Sequence, residues 1–249
     1  MKNLFMFIFI MSLIIAGCEG YYFEDTSDTG GAEHGVGGSL ARFTIANDYL
    51  YAVDDDELKI LNIENPETPE FVKEIQVGFG IETIFIRERL LFLGSRFGMY
   101  IFDISSPRNP VQLSNYQHIY SCDPVVADDE YAYVTLSTST NCGRNTNELQ
   151  IVSIKDPSSP YLVKNYSMSN PLGLGIKDDI LFLCDDGLKI YNISDVLNIN
   201  LIQKFSIAAN DVIPLDNHLL VIGDDGLYNY QYQNDSLKFL SKIITYSNE

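Results

Sequence analysis

The chain contains no tryptophan, three histidines and four cysteines in 249 residues. His34, His118 and His218 lie far apart, and no His-x-x-x-His spacing offers a helical zinc pair. No Cys-x-x-Cys exists, so zinc ribbons and dithiol redox motifs are excluded. A Gly-x-Ser-x-Gly elbow is missing, as is a phosphate-cradling glycine loop. No catalytic residues or metal ligands are assigned. Basic residues are equally scarce. Sixteen Lys and Arg face 34 Asp and Glu, giving a net charge of −18. Nucleic acid as a partner is excluded on that ground, because phosphate binding needs concentrated basic residues. The same charge suits solubility, cation association or a basic partner.

Hydrophobic residues make up 46% of the chain and charged residues 20%. That balance can bury a core. Sixteen Tyr and fourteen Phe, with many Ile, Leu and Val, favour strands.

The N-terminus begins Met1-Lys2-Asn3, followed by a nearly unbroken apolar run from Leu4 to Ile15. The run is too short to span a bilayer and has the length of a signal-peptide core. It ends in Ile15-Ala16-Gly17-Cys18, which resembles the lipobox of bacterial lipoproteins, with Ile15 where Leu is usual. The resemblance implies removal of residues 1–17, acylation of Cys18, and a lipid-anchored protein of the cell envelope. The expected location is the outer membrane, facing periplasm or cell surface. Residues 18–38, rich in Gly, Ser, Thr and acid, read as a flexible tether.

From residue 39 to 249 the chain repeats itself. Leu50–Ile63, Leu90–Ile104, Ile180–Ile193 and Leu219–Tyr232 each hold two apolar runs around a turn, and Tyr131–Ile154 does so with an insertion. Asp186-Gly187 and Asp225-Gly226 are strong type I′ hairpin signals. Paired prolines follow three hairpins: Pro66 and Pro69, Pro107 and Pro110, Pro157 and Pro160. Val196 and Ile199 take those places in the fourth unit. A more polar strand follows each turn, and a further apolar strand precedes each hairpin. Four strands in each repeat of about 40 residues predict an all-β, five-bladed β-propeller of antiparallel blades. The blades would cover 39–77, 78–118, 119–168, 169–208 and 209–247. A β-sandwich is the competing architecture. How such a ring closes is not evident, since no strand is borrowed across the ends.

Two segments, Ile101-Phe-Asp-Ile-Ser-Ser-Pro-Arg-Asn-Pro110 and Ile151-Val-Ser-Ile-Lys-Asp-Pro-Ser-Ser-Pro160, resemble the LVIVD repeat. That resemblance implies a bacterial or archaeal surface propeller, with little mechanism attached.

In a propeller, the connections from fourth strand to next blade and those between second and third strands emerge on one face. Cys122 and Cys142 would share that face, and an exported chain meets oxidising conditions, so a Cys122–Cys142 disulfide is expected. Cys184 reads as a small buried hydrophobe. Glu82, Asp123 and Asp211 near inner-strand starts, and Asp54–Asp56, Asp185, Asp186, Asp224 and Asp225 in hairpin turns, would ring the same rim. Such carboxylates could bind Ca²⁺ or attract a basic partner, although Asp and Gly also suit tight turns by themselves. No other cofactor is expected. The expected function is a non-catalytic, lipid-anchored binding module for a protein or glycan. The alternative is a glycan-directed hydrolase with a carboxylate pair at the channel mouth.

Overall fold

In a computed structural model the described residues are 37–118, 124–137, 146–233 and 236–245. They form twenty strands in five four-stranded antiparallel sheets, arranged as a five-bladed propeller. Blade 1 holds β1 (Phe43–Ala46), β2 (Tyr49–Val53), β3 (Glu57–Asn62) and β4 (Glu70–Gln76). Blade 2 holds β5 (Ile81–Arg87), β6 (Leu90–Ser95), β7 (Gly98–Asp103) and β8 (Val111–Gln117). Blade 3 holds β9 (Val125–Ala127), β10 (Tyr131–Leu136), β11 (Glu148–Ser153) and β12 (Tyr161–Ser167). Blade 4 holds β13 (Pro171–Lys177), β14 (Ile180–Asp185), β15 (Leu188–Asn192) and β16 (Asn200–Phe205). Blade 5 holds β17 (Asp211–Pro214), β18 (His218–Gly223), β19 (Gly226–Gln233) and β20 (Ser236–Ile244). Each sheet runs in chain order from its inner strand to its outer strand. Cys122, Cys142 and Asp123 lie outside the described residues, as do the tether and Cys18.

Second strands are apolar on both faces because they are covered on both faces. In β6, β10 and β14 every residue after the first is buried. Fourth strands are mostly exposed, which fits their polar sequence. The core is therefore a series of joints between blades. Four buried apolar clusters fill the joints between blades 1 and 2, 2 and 3, 3 and 4, and 4 and 5. Cys184 lies in the last of these, fully buried, and burial pushes its thiol pKa up.

Three of the turns between third and fourth strands are Asx turns, in which Asn65, Asp156 and Asp195 accept a bond from the backbone two residues on, at 3.0–3.1 Å. Each also closes an i to i+3 backbone bond, as does the Ser106 turn. Asp195-Val196-Leu197-Asn198 keeps this geometry without proline, so the aspartate carries the turn. The Ile199 N–H, which proline would lack, donates to Tyr166 Oη at 3.2 Å.

These turns clasp the preceding blade. Tyr51 Oη donates to the Pro107 carbonyl at 3.1 Å, Ser114 Oγ to Pro157 at 2.7 Å, and Tyr166 Oη to Val196 at 2.8 Å. Every third–fourth strand pair also carries one register shift, at Ile60/Leu61, Ile101/Phe102, Ile151/Val152, Ile190/Tyr191 and Asn229/Tyr230. Such bulges twist the outer strand out of line and discourage edge-to-edge pairing.

One hairpin differs from its sequence signal. Asp186 and Gly187 both have positive φ, at 49° and 115°, as the turn signal requires. In blade 5 the loop is Asp224-Asp225 between the paired Gly223 and Gly226, and neither aspartate has positive φ. Gly226 is needed for a different reason: a Cβ there would lie 2.2 Å from the Ile243 carbonyl oxygen of β20.

Among the described residues no apolar cluster fills the joint between blades 5 and 1. A strap preceding β1 does the closing. Ser39 Oγ donates to Asp211 Oδ1 at 2.8 Å and accepts from the Leu174 N–H at 2.8 Å. The Leu40 N–H donates to Asp211 Oδ2 at 3.1 Å. The Ala41 carbonyl accepts from the Ile84 N–H at 2.9 Å. Residues 39–41 thus bridge the inner strands of blades 5, 4 and 2, and run directly into blade 1. Among the described residues ring closure is polar, through the hub, and exchanges no strand.

Candidate functional site

The strap occupies the hub at the end where the inner strands begin, which is also the rim expected to gather carboxylates. Asp211 is 1% exposed. Burial pushes its pKa up, opposed by the bonds from Ser39, Leu40 and Val212. A carboxylate so covered and so bonded is out of a substrate's reach in this conformation.

The other carboxylates of that rim hold local partners. Asp185 is fully buried and caps the backbone N–H groups of Ser169 and Asn170, at 3.0 and 2.5 Å. Its second oxygen takes the Lys189 ammonium at 2.5 Å. Glu82 pairs with Arg96 at 2.7 Å. Asp224 accepts from Asn210 Nδ2 at 2.7 Å. Asp225 binds Tyr228 Oη and the Lys242 ammonium, and the Lys242 bond holds its carboxyl below the usual range. Asp54 is lowered in the same way by Lys59, at 3.0 Å. Asp186 stands exposed in its turn. Among the described residues no three His, Cys, Asp or Glu side chains converge on one point that could hold a metal ion.

The larger hollow lies on the opposite face, between blades 3 and 4, and encloses roughly 600 Å³. Its walls include Tyr131, Tyr133, Val163, Val196 and Leu197. Its rim carries Asp128, Asp129, Glu130, Asp178, Asp179 and Asp195, with Arg87 as the one basic lining residue. Tyr133 is one of its lining residues, beside the Tyr166–Val196 clasp of the same joint. It holds the place in β10 that Tyr51 holds in β2, third in the strand. Tyr51 reaches across the joint to the next blade's turn, whereas Tyr133 Oη turns back to Asp128 Oδ2 at 2.8 Å. Burial pushes the Tyr133 phenol pKa far up, and the neighbouring Asp128 charge adds to it. Asp128 also accepts from the N–H groups of Glu130 and Tyr131, both at 2.7 Å.

A smaller hollow of roughly 190 Å³ opens on the same face between blades 4 and 5. Phe182, Pro214, Leu219 and Tyr232 line it, with His218 among them, and it shares Asp178 with the larger one. Sequence reading missed both hollows. The available signal for the larger one was the run Asp128-Asp129-Glu130 together with Asp178-Asp179, two acidic turns one blade apart.

Residues 37–76 and 121–168 match the LVIVD repeat family. These stretches contain blades 1 and 3. Comparison with curated proteins gives no match. Among solved structures, the chain is similar to a functionally unknown protein from Desulfotomaculum acetoxidans DSM 771. The TM-score is 0.64 at 9% identity, over 86% of this chain and 70% of that one. It is also similar to a putative 6-phosphogluconolactonase from Bacteroides fragilis NCTC 9343, with TM-score 0.58, 11% identity, and coverage of 80% and 68%. A periplasmic gluconolactonase from Pseudomonas aeruginosa gives 0.57, 12%, 80% and 68%. At such identity these likenesses establish the propeller fold.

Proposed function

We propose that this protein is a non-catalytic binding module, anchored to the cell envelope through Cys18, that engages a protein partner with the acid-rimmed groove between blades 3 and 4. The groove carries this reading: beside the point where Tyr166 clasps the Val196 carbonyl, the joint between blades 3 and 4 holds a hollow with apolar walls and a charged rim. Binding grooves are usually largely preformed, and a preformed groove loses little on binding. Residues 39–41 enter the ring from the opposite face, where Asp211 begins β17. A hydrolase finds less support, because the hub carboxylate Asp211 is buried beneath the strap.

Two measurements test the proposal. Cys18→Ser is expected to move the protein from the membrane fraction to the soluble fraction, and unchanged membrane retention counts against the anchor. Val163→Arg, which fills the groove from the half-exposed β12, is expected to abolish capture of a specific envelope protein that the unaltered chain retains. Equal capture by both removes the groove as the binding site.

A further inference from the structure

Building on that reading of the groove, we infer that its occupant is a lysine or arginine side chain presented by the partner polypeptide. Three observations converge on this chemistry. First, the Asp178 and Asp179 carboxylates, exposed in the turn between β13 and β14, make no hydrogen bond or ion pair among the described residues, yet both line the groove. Second, the rim already binds the chain's own cations. The Arg87 guanidinium sits 2.7 Å from Asp129, and the Lys155 ammonium sits 2.7 Å from Glu130 and 5.3 Å from the centre of the Tyr131 ring. Carboxylate plus tyrosine face is a cation seat, and two more carboxylates stand beside it with no cation of their own. Third, the walls of Val163, Val196 and Leu197 suit the methylene stem of a long basic side chain, whereas a bare metal ion gains nothing from them.

The space of roughly 600 Å³ exceeds one side chain, so flanking residues of the partner also enter. A net charge of −18 draws a basic segment toward the molecule from a distance, and the groove then fixes where it lands.

Calorimetric titration of the full chain with an acetylated tetra-arginine peptide tests the inference. Binding is expected at low salt, weakening as salt is raised. Asp178→Asn with Asp179→Asn is expected to weaken binding about tenfold, as loss of charge-assisted bonds does. Glu64→Gln with Glu67→Gln, an equal change of charge in an exposed turn of blade 1, is expected to leave affinity nearly unchanged. Absence of binding overturns the inference, and so does equal weakening by both double variants, which would mean general surface charge. Should Val163→Arg abolish partner capture while the aspartate pair proves irrelevant, the groove stands as a binding site and its cationic occupant falls. Should the peptide bind as expected with no groove-dependent partner, the cation seat stands and the proposed function falls.

Discussion

Asp211 and Ser39 carry more of the architecture than their size suggests. A buried carboxylate is costly unless it is bonded, and here three donors supply the bonds. Ser39→Ala leaves the Leu174 N–H and one carboxylate oxygen without this partner, which should cost about 2–3 kcal/mol and be visible in thermal unfolding. The pH dependence has a definite sign. Burial raises the folded-state pKa of Asp211 above its unfolded value, so its contribution is favourable at low pH and is lost as pH rises through the raised value. The difference in melting temperature between the native chain and Asp211→Asn should therefore shift against the native chain between pH 4 and pH 7. A difference independent of pH would mean that Asp211 does not titrate in the folded hub. The proposed Cys122–Cys142 disulfide belongs to the same scale. Thiol labelling under denaturation should find Cys184 and Cys18 reactive, the latter through sulfur only where unacylated, with Cys122 and Cys142 reactive only after reduction. Closing that loop would contribute roughly 3 kcal/mol.

Individual strands and turns were the most legible part of the sequence. Paired apolar runs around a turn, with Asp-Gly in units 4 and 5 and paired prolines after the hairpins of units 1 to 3, marked out the four-stranded repeat. Turn chemistry proved more robust than its proline marker: Asp195 preserves the fourth turn where Val196 and Ile199 replace proline. Other features left no local trace. Glu88 has a φ of 50° in a two-residue hairpin, although glutamate gives no signal for it. The five bulges between third and fourth strands depend on how two strands meet, which neither strand spells out alone. Gly226 looked like a turn residue and is a packing residue. Gly226→Ala should therefore cost about 2 kcal/mol, since the new Cβ meets backbone oxygen that cannot swing away. Gly37→Ala, whose Cβ would meet only the Ala41 side chain at 3.4 Å, should be much milder in the same melting experiment.

At the scale of the whole molecule, repetition made the propeller readable and its departures unreadable. The closing strap depends on a contact between residues 39 and 211, separated by nearly the whole domain. The groove gathers residues of two blades, from Tyr131 of blade 3 to Leu197 of blade 4, into one hollow. Both are decisions made between blades, where hydrophobic periodicity is silent. The expected rim shows the converse. Glu82 lies in β5, Asp185 ends β14, Asp224 and Asp225 form a hairpin turn, and each has found a local partner. The open groove lies on the other face. The proposed function therefore turns on one joint out of five. A photo-crosslinking residue at Leu197, on the exposed lip of that groove, tests this most directly in cells making the full chain. A partner adduct at Leu197, lost in Val163→Arg and not formed from Glu64 on blade 1, is the predicted result. Equal crosslinking from both positions, or an adduct indifferent to Val163→Arg, would contradict it.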